Sequence, residues 1–329
     1  MKRIIAIVAG GDSSEHDVSM RSAQGILSFI NKEQYEVYII EIKGQTWEAI
    51  LNDGSRSKID KNDFSFNTPN GKIRPDFAYI TIHGTPGENG ILQGYFDLIQ
   101  MPYSTSGVLV EALTFNKFSL NQYLKAWGIK VAESLLLRRK MMSHVSDDEI
   151  IEKVGLPCFV KPNADGSSFG VSKVKTKEEL RPAIELALKE GDEVMVEAFM
   201  QGTEITCGCY KTTDKSIVFP ITEVVTNEEF FNYDAKYNGA VQEITPARIA
   251  PETADRVSTI TKAIYSILGC EGIIRIDYIL TGEKGKEQIN MLEVNTAPGM
   301  TATSFIPQQI RAAGLNIGDV LSDIIENKF

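Results

Sequence analysis

Short apolar runs alternate with amphipathic segments over the first part of the chain. Apolar runs at Ile4–Ala9, Val37–Ile42 and Phe77–Ile82 predict β-strands, and amphipathic segments at Val18–Ile30 and Gly90–Ile99 predict helices between them. Strands separated by helices predict a mostly parallel sheet that is covered on both faces. We therefore predict an N-terminal parallel α/β domain over residues 1–105.

Two glycine-containing segments follow predicted strands of this domain. They read GGDSSEHD at residues 10–17 and HGTPGENG at residues 83–90. Parallel sheets bind ligands at the carboxyl ends of their strands, where glycine lets the backbone approach a ligand closely. Each segment alone fits an ordinary turn as well as a ligand-binding loop.

The central pattern predicts an α+β unit over residues 106–201. A helix is predicted at Asn116–Trp127, with Leu120, Tyr123, Leu124 and Trp127 on one apolar stripe. A strand then leads into the loop Gly-Ser-Ser-Phe-Gly at 166–170, and Glu193–Ala198 alternates as a strand does. The small-residue loop suits phosphate binding, although such loops are usually plain turns.

The C-terminal pattern predicts a second α+β unit over residues 202–329. Its polar segment from Thr226 to Glu252 has little apolar periodicity, and segments of this length in compact domains are usually lids or binding loops. A helix is predicted at Thr253–Gly269, followed by strands at Gly272–Leu280 and Gln288–Asn295.

Composition, net charge and the absence of several common motifs exclude or disfavour a number of protein classes. The 329 residues are 43% hydrophobic with a net charge of −10, which favours a folded protein and argues against binding to nucleic acid or an anionic membrane. No apolar run approaches the roughly 20 residues of a membrane span, and the first residues lack a signal-peptide pattern. The four cysteines have no disulfide or zinc spacing, so we expect packing roles and a reducing cytoplasm. The phosphate-binding motifs of P-loop and dinucleotide enzymes, and the nucleophile motif of α/β-hydrolases, are absent.

The last two predicted strands carry polar residues at alternating positions. Arg275 and Asp277 share one face of their strand, as do Glu293 and Asn295 on the next, and an antiparallel pairing would put all four side chains together. The same even spacing puts Ile273, Ile279, Ile289 and Met291 on this face. Carboxylate and amide oxygens suit Mg²⁺, but the spacing alone fits a solvated charged face equally well.

A glycine turn follows directly, at Thr296-Ala-Pro-Gly299, before a helix that opens at Ser304. Backbone N–H groups at such a turn can hold a carboxylate or a developing oxyanion. The alternative is a routine strand-to-helix turn.

Taken together, these motifs resemble D-alanine–D-alanine ligases of the ATP-grasp superfamily over essentially the whole chain. The resemblance rests on GGDSSEHDVS, HGTPGENG, YSTSGV at 103–108, FVKPNADGSSFGVSKV at 159–174, DAKY at 234–237, GIIRIDYIL at 272–280 and LEVNTAPGMT at 292–301. It implies an N-terminal parallel-sheet domain followed by a two-lobed ATP-grasp fold. It also implies ligation of two D-alanine molecules through an acyl phosphate, for peptidoglycan precursors, by a cytoplasmic homodimer.

The resemblance assigns roles to individual residues. Those matching ATP-binding positions are Lys117, Lys161, Ser168, Glu197, Phe199, Glu204 and Lys236. Those matching the ligands of two Mg²⁺ ions, for which Mn²⁺ can substitute, are Asp277, Glu293 and Asn295. Those matching catalytic or D-alanine-binding positions are Glu15, His83, Ser167, Tyr237, Arg275, Gly299 and Ser304.

Three residues depart from patterns frequent in the family. Phe231 replaces a tyrosine of some members, His16 an arginine and Ala297 a serine. No metal-ligand or phosphate-lysine position is altered. Two alternatives stay open: a ligase that uses another amino or hydroxy acid, such as D-lactate, as second substrate, and a non-catalytic ATP-binding module.

Overall fold

The structure, a computed structural model, describes residues 2–164, 170–226 and 241–329. Its first sheet has the strand order β4-β3-β2-β1-β7, in which β2, β1 and β7 are parallel and β3 and β4 add an antiparallel edge. Two further short strands, β5 and β6, form a separate hairpin. The elements of this region are β1 (Arg3–Gly10), α1 (His16–Phe29), β2 (Tyr35–Lys43), β3 (Thr46–Ile50), β4 (Arg56–Lys58), β5 (Phe66–Thr68), β6 (Gly71–Ile73), β7 (Phe77–Ile80), α2 (Ile91–Leu98), α3 (Val108–Phe115) and α4 (Lys117–Ala126).

The second sheet is antiparallel, with the order β10-β9-β11-β8. Helices α5 and α6 supply apolar residues to its core. The elements are β8 (Ser134–Arg138), a 3₁₀ helix (Arg139–His144), α5 (Asp147–Val154), β9 (Cys158–Pro162), β10 (Ser172–Val174), α6 (Lys177–Ala187) and β11 (Glu193–Ala198).

The third sheet is also antiparallel, with the order β15-β14-β12-β16-β17 and β13 paired to β12. Helix α7 packs on it and ends at Gly269, whose left-handed conformation fits the predicted helix stop. The elements are β12 (Thr203–Lys211), β13 (Ser216–Val218), β14 (Thr222–Thr226), β15 (Val241–Ile244), α7 (Pro251–Leu268), β16 (Ile273–Thr281), β17 (Gln288–Asn295), α8 (Phe305–Ala312) and α9 (Ile317–Glu326).

The hydrophobic cores connect regions that are distant in sequence. Apolar residues of α8 and α9, including Ile306 and Leu321, pack with Ile5 and Ile7 of the first sheet. Leu120 and Leu124 of α4 pack into the core of the third sheet. The three-part division by sequence stays a prediction, but these contacts tie its parts together.

Two of the four residues predicted to form the apolar stripe of α4 are buried. Leu120 and Leu124 are fully buried, whereas Tyr123 and Trp127 are exposed. A stripe read from spacing includes residues at its edge, and here the core covers only the centre of the stripe.

A β-bulge alters the predicted faces of the β16–β17 pair. The register shifts between Asp277 and Tyr278, so Asp277 pairs with Glu293 but Tyr278 pairs with Met291. The expectation that Ile289 and Met291 lie on the polar face is therefore wrong, because the extra residue reverses the alternation and sends both into the core.

All four cysteines are buried and free, as expected for packing residues. Burial raises the pKa of Cys158 to about 11, so its thiol stays protonated at neutral pH. Within the described ranges, none of the helices combines the length and the apolar character that crossing a membrane requires.

Candidate active site

A cavity of about 1000 Å³ lies where the second and third sheets meet the loops at the carboxyl ends of β1 and β7. It is lined by every predicted site residue within the described ranges: Glu15, His83, Lys117, Lys161, Glu197, Phe199, Glu204, Arg275, Asp277, Glu293, Asn295, Gly299 and Ser304. The predicted Ser167, Ser168, Lys236 and Tyr237, like Phe231, lie outside the described residues.

The β16–β17 pair brings a cation and two carboxylates together at the cavity wall. The guanidinium of Arg275 donates two hydrogen bonds to Asp277, at 2.9 and 2.8 Å, and lies 3.9 Å from Glu293. The amide of Asn295 donates to Asp277 at 3.2 Å and to Glu293 at 3.3 Å. Thr206 of β12 donates to Asp277 at 2.5 Å, which fixes that carboxylate from the neighbouring strand.

This cluster fits a hard divalent cation that substrate oxygens also coordinate. Asp277, Glu293 and Asn295 together offer two carboxylates and one amide oxygen, which are the ligand types that Mg²⁺ takes. Among the described residues, no three His, Cys, Asp or Glu side chains are grouped to hold a metal by themselves. A metal here would therefore need phosphate or water oxygens to complete its coordination.

The opposite end of the cavity carries a buried ion pair. Lys161 of β9 lies 2.6 Å from Glu197 of β11, with side-chain exposures of 13% and 3%. The amide of Asn121 donates to the second oxygen of Glu197 at 3.3 Å. Phe199 lies two residues after Glu197. Its ring packs near Phe159 and under the ammonium of Lys173, so a flat aromatic surface lines the cavity near the ion pair.

The loops after β1 and β7 meet, as expected for the carboxyl edge of a parallel sheet. The hydroxyl of Ser13 donates to the carbonyl of His83 at 2.8 Å, and the N–H of Asp12 donates to Thr85 O at 2.9 Å. Glu15, at the start of α1, and His83 are both buried at this junction. The two glycine-containing segments thus form one wall of the cavity.

Helix α1 holds the turn that follows β17. The N–H of Met300 donates to Ser22 of α1 at 3.2 Å, and a Cβ atom at Gly25 would lie only 2.2 Å from Met300 O. A side chain at residue 25 would therefore push the turn away from the helix. The hydroxyl of Ser304 hydrogen-bonds Thr301, which closes the turn before α8.

Two carboxylates that the sequence did not single out, the half-buried Glu88 and the buried Glu111, also hold this turn. Glu88 accepts hydrogen bonds from the N–H groups of Gly84, at 2.7 Å, and Ala297. Glu111 of α3 is fully buried and accepts a hydrogen bond from Thr296. A lone acid within the apolar helix sequence VLVEALTF is the signal that could have identified Glu111, because buried acids need a specific partner.

Comparison with known proteins matches two family profiles to the chain. The profile described as "D-ala D-ala ligase N-terminus" covers residues 4–106, and the one described as "D-ala D-ala ligase C-terminus" covers residues 123–326. The chain belongs to the D-alanine–D-alanine ligase family. This confirms the family identified from the sequence motifs.

Individual members of the D-alanine–D-alanine ligase family agree over full length. A protein named D-alanine--D-alanine ligase from Phocaeicola vulgatus is 68% identical over 100% of both chains. The crystal structure of VanG D-Ala:D-Ser ligase from Enterococcus faecalis has 30% identity and a TM-score of 0.87 over 100% of both chains. The D-alanyl-alanine synthetase A of Vibrio cholerae has 28% identity and a TM-score of 0.86, covering 99% of this chain and 98% of that one. These structures confirm the ATP-grasp fold.

Two departures from family patterns fall within the described residues. His16 packs against Gly10 and hydrogen-bonds Glu41 at 3.1 Å, so it faces β2. Ala297 is buried, and its N–H contacts Glu88. Neither residue belongs to the cluster of Asp277, Glu293 and Asn295 that could hold a metal ion.

The half-buried position of Glu88 among other carboxylates predicts a pH effect on stability. Burial raises the pKa of Glu88 from 4.5 to about 7, so the folded state holds this proton more tightly than the unfolded state. Relative to Glu88→Gln, the wild type should lose up to about 3 kcal/mol of unfolding free energy as pH rises from about 4.5 to about 7, with no further loss above that. Denaturant unfolding of both proteins across this range, without metal or nucleotide, checks this. Parallel stability curves would contradict it.

Proposed function

We propose that this chain ligates two D-alanine molecules to D-alanyl-D-alanine at the expense of ATP, for peptidoglycan precursor synthesis, with the residue roles given below. The observation that carries the proposal is the single cavity shared by the candidate nucleotide, metal and amino-acid residues. Membership of the ligase family supports both the reaction class and ATP as co-substrate.

The end of the cavity at Lys161 suits ATP. Lys117 and Lys161 supply point charges for phosphate oxygens. Lys161 is paired with Glu197, so it is already held at the site and needs only to share its ammonium with an arriving phosphate. Glu197 and Phe199 would border the adenine, and Glu204 would bind ribose hydroxyls. Ser168 and Lys236 complete this proposed set from outside the described residues.

Asp277, Glu293 and Asn295 would hold two Mg²⁺ ions, or Mn²⁺ in their place. Bound Mg²⁺ neutralises phosphate charge and aligns the oxygens for phosphoryl transfer. Hydrogen bonds from Thr206 and Arg275 already hold the carboxylate of Asp277 in place for a metal ion.

The amino-acid end suits a zwitterionic substrate. The carboxylate of Glu15 would bind the ammonium of the first D-alanine beside His83. The carboxylate of this D-alanine would then attack the γ-phosphate of ATP to give an acyl phosphate and ADP. Arg275 and the Gly299 N–H would stabilise the anionic intermediate. The second D-alanine, with its carboxylate at Ser304, then loses one proton from its ammonium and attacks the acyl carbon through the resulting amine. Phosphate leaves, and the second proton of the amine is released as the amide forms. Ser167 and Tyr237 would hold the lid over this step.

The alternatives named from the sequence are less well supported. The many full-length relatives named D-alanine--D-alanine ligase do not favour D-lactate as the second substrate. A non-catalytic module is disfavoured because the full set of metal and phosphate residues is retained: Lys117, Lys161, Asp277, Glu293 and Asn295.

An exposed apolar patch supports the proposed homodimer. Ile91 and Leu98 lie on the same face of α2 as Gly94, against which Val108 of α3 packs. Leu98 is 85% exposed and Leu109 is 78% exposed. Large apolar side chains clustered in this way usually mark a protein–protein interface. The four free thiols favour the reducing cytoplasm as its compartment.

Phosphate release tests the reaction directly. With ATP and Mg²⁺, we expect phosphate release that depends on D-alanine, because the acyl phosphate forms only on the bound amino acid. L-alanine and D-lactate serve as matched alternatives, and chromatography identifies the dipeptide. Release that is equal without D-alanine, or that needs L-alanine, would refute the proposal.

The metal assignment predicts that Glu293→Ala abolishes Mg-ATP turnover and leaves the fold intact. The side chain is half-buried and its loss removes one candidate ligand, so we expect activity to fall by at least about a hundredfold. Calorimetric titration with Mg²⁺ and a non-hydrolysable ATP analogue gives a readout independent of turnover. Glu283→Ala, in an exposed turn, is the control. Unchanged metal binding and activity in Glu293→Ala would rule out the role.

The dimer prediction concerns Leu98 and Leu109. Placing a charge on the patch should oppose its burial, so Leu98→Glu with Leu109→Glu should convert a dimer to a monomer in sedimentation velocity. Leu186→Glu, on the exposed face of α6, should keep the mass of the wild type. A wild type that is monomeric at high concentration would refute the homodimer.

A further inference from the structure

One carboxylate of the cavity wall has no role in the function proposed above. Glu243 lies on β15, the strand that follows residues 227–240, and pairs in register with Val224 of β14. Both residues line the cavity, as do Thr303 and Ser304 at the start of α8. Glu243 therefore faces the same space as the proposed site for the second carboxylate.

A hydrogen bond fixes Glu243 to the helix that begins at this site. The amide of Gln308 on α8 donates to Glu243 Oε2 at 2.5 Å and to Thr303 O at 2.7 Å. The side chain of Gln308 thus joins β15 to the turn before α8.

The helix that carries Gln308 is itself anchored in the third sheet. The neighbouring Gln309 is fully buried, donates to Thr206 O at 3.1 Å and accepts from the N–H of Gly208 at 2.9 Å. Gln308 consequently extends from a fixed helix, so its contact defines where the carboxylate of Glu243 stays.

The charges around Glu243 are asymmetric. Among the described residues, the guanidinium of Arg275 attracts Glu243, but it already donates two hydrogen bonds to Asp277 and lies over the ring of Phe305 at 5.3 Å. Gln308 is neutral and satisfies one of the carboxylate oxygens. Within the part of the chain that the structure describes, the negative charge of Glu243 is therefore left for a cationic group that enters the cavity.

We propose that Glu243, held by Gln308, is a specificity-determining residue that favours a second substrate with an α-ammonium over one with a hydroxyl. This inference rests on the proposed function, which puts the second carboxylate at Ser304. A zwitterion anchored there brings its ammonium close to Glu243, whereas a hydroxy acid brings a net negative charge and no cation. The negative charge of Glu243 attracts the ammonium of the zwitterion and repels the anionic hydroxy acid.

The test measures competition between D-alanine and D-lactate for the second site. The enzyme, ATP and Mg²⁺ are mixed with both acids, and the dipeptide and depsipeptide are quantified by mass spectrometry. Glu243→Gln keeps the shape and the hydrogen bond to Gln308 but removes the charge. We expect the depsipeptide-to-dipeptide ratio to rise about two- to fivefold and the KM of the second D-alanine to rise by a similar factor, as for one solvent-accessible ion pair. The KM of the first D-alanine should not change.

Two further variants make the result specific. Gln308→Leu releases Glu243 without removing its charge, so it should shift the ratio in the same direction by a smaller factor. Glu283→Gln removes the same charge from an exposed turn and should leave the ratio at the wild-type value. An unchanged ratio in both Glu243→Gln and Gln308→Leu would overturn the inference, as would an equal shift in Glu283→Gln. If the wild type releases no phosphate with D-alanine, the proposed function itself fails, which is a separate outcome.

Discussion

The hydrogen-bonded pair of Arg275 and Asp277 is the interaction on which the rest of the site depends. Glu15, Glu88, Glu243, Asp277 and Glu293 all line one cavity, where their negative charges repel one another. Arg275 stands among them, nearly buried, with two of its donors committed to Asp277 and with Glu293 close by. The planar guanidinium holds this geometry with little freedom, which an ammonium on a flexible stem would not do. The same pairing orients a proposed metal ligand and keeps a cation where the intermediate would form.

The second constraint is that the N-terminal part of the chain positions the C-terminal turn. Ser22 of α1 binds Met300, Glu88 binds Ala297 and Glu111 binds Thr296. These contacts join residues that are between 185 and 278 positions apart in sequence. They are reinforced by the core that packs α8 and α9 against the first sheet. The backbone of Gly299 is thereby fixed before a substrate arrives, which is what stabilisation of a developing charge requires.

Local patterns predicted the elements well where one face of each is buried. The strand at β11 and the helix stop at Gly269 appear as predicted, although burial does not alternate in β11, whose four central residues are all buried. The hairpin of β5 and β6 was not predicted, since strands of three residues are too short to show a period. The bulge after Asp277 could not be predicted either, because both strands keep the spacing of a regular pair and only their register shows the extra residue.

In the candidate site, too, some residues could be predicted from local sequence patterns and others could not. Residues inside recognisable motifs, such as Lys161 and Asn295, could be named from the sequence and lie together in the cavity. Glu243 could not, because it stands in a polar segment without periodicity and acquires its contact only when β15 meets α8. Spacing along the chain reports neighbours on one element, whereas this hydrogen bond joins residues 65 positions apart.

The charge balance of the cavity explains how an acidic protein can bind a polyanion. The net charge of −10 is a sum over the whole surface, and exposed charges farther than about 10 Å away are largely screened at physiological salt. In the proposed site, ATP would meet the local arrangement: Lys161 within hydrogen-bond reach of Glu197, and Arg275 among carboxylates. Divalent cations would convert the acidic cluster from a repulsive surface into an attractive one for phosphates, so the carboxylates that oppose free ATP would favour its magnesium complex. Selectivity for the metal-bound nucleotide would therefore follow from the same acids that contribute to the negative charge of the chain.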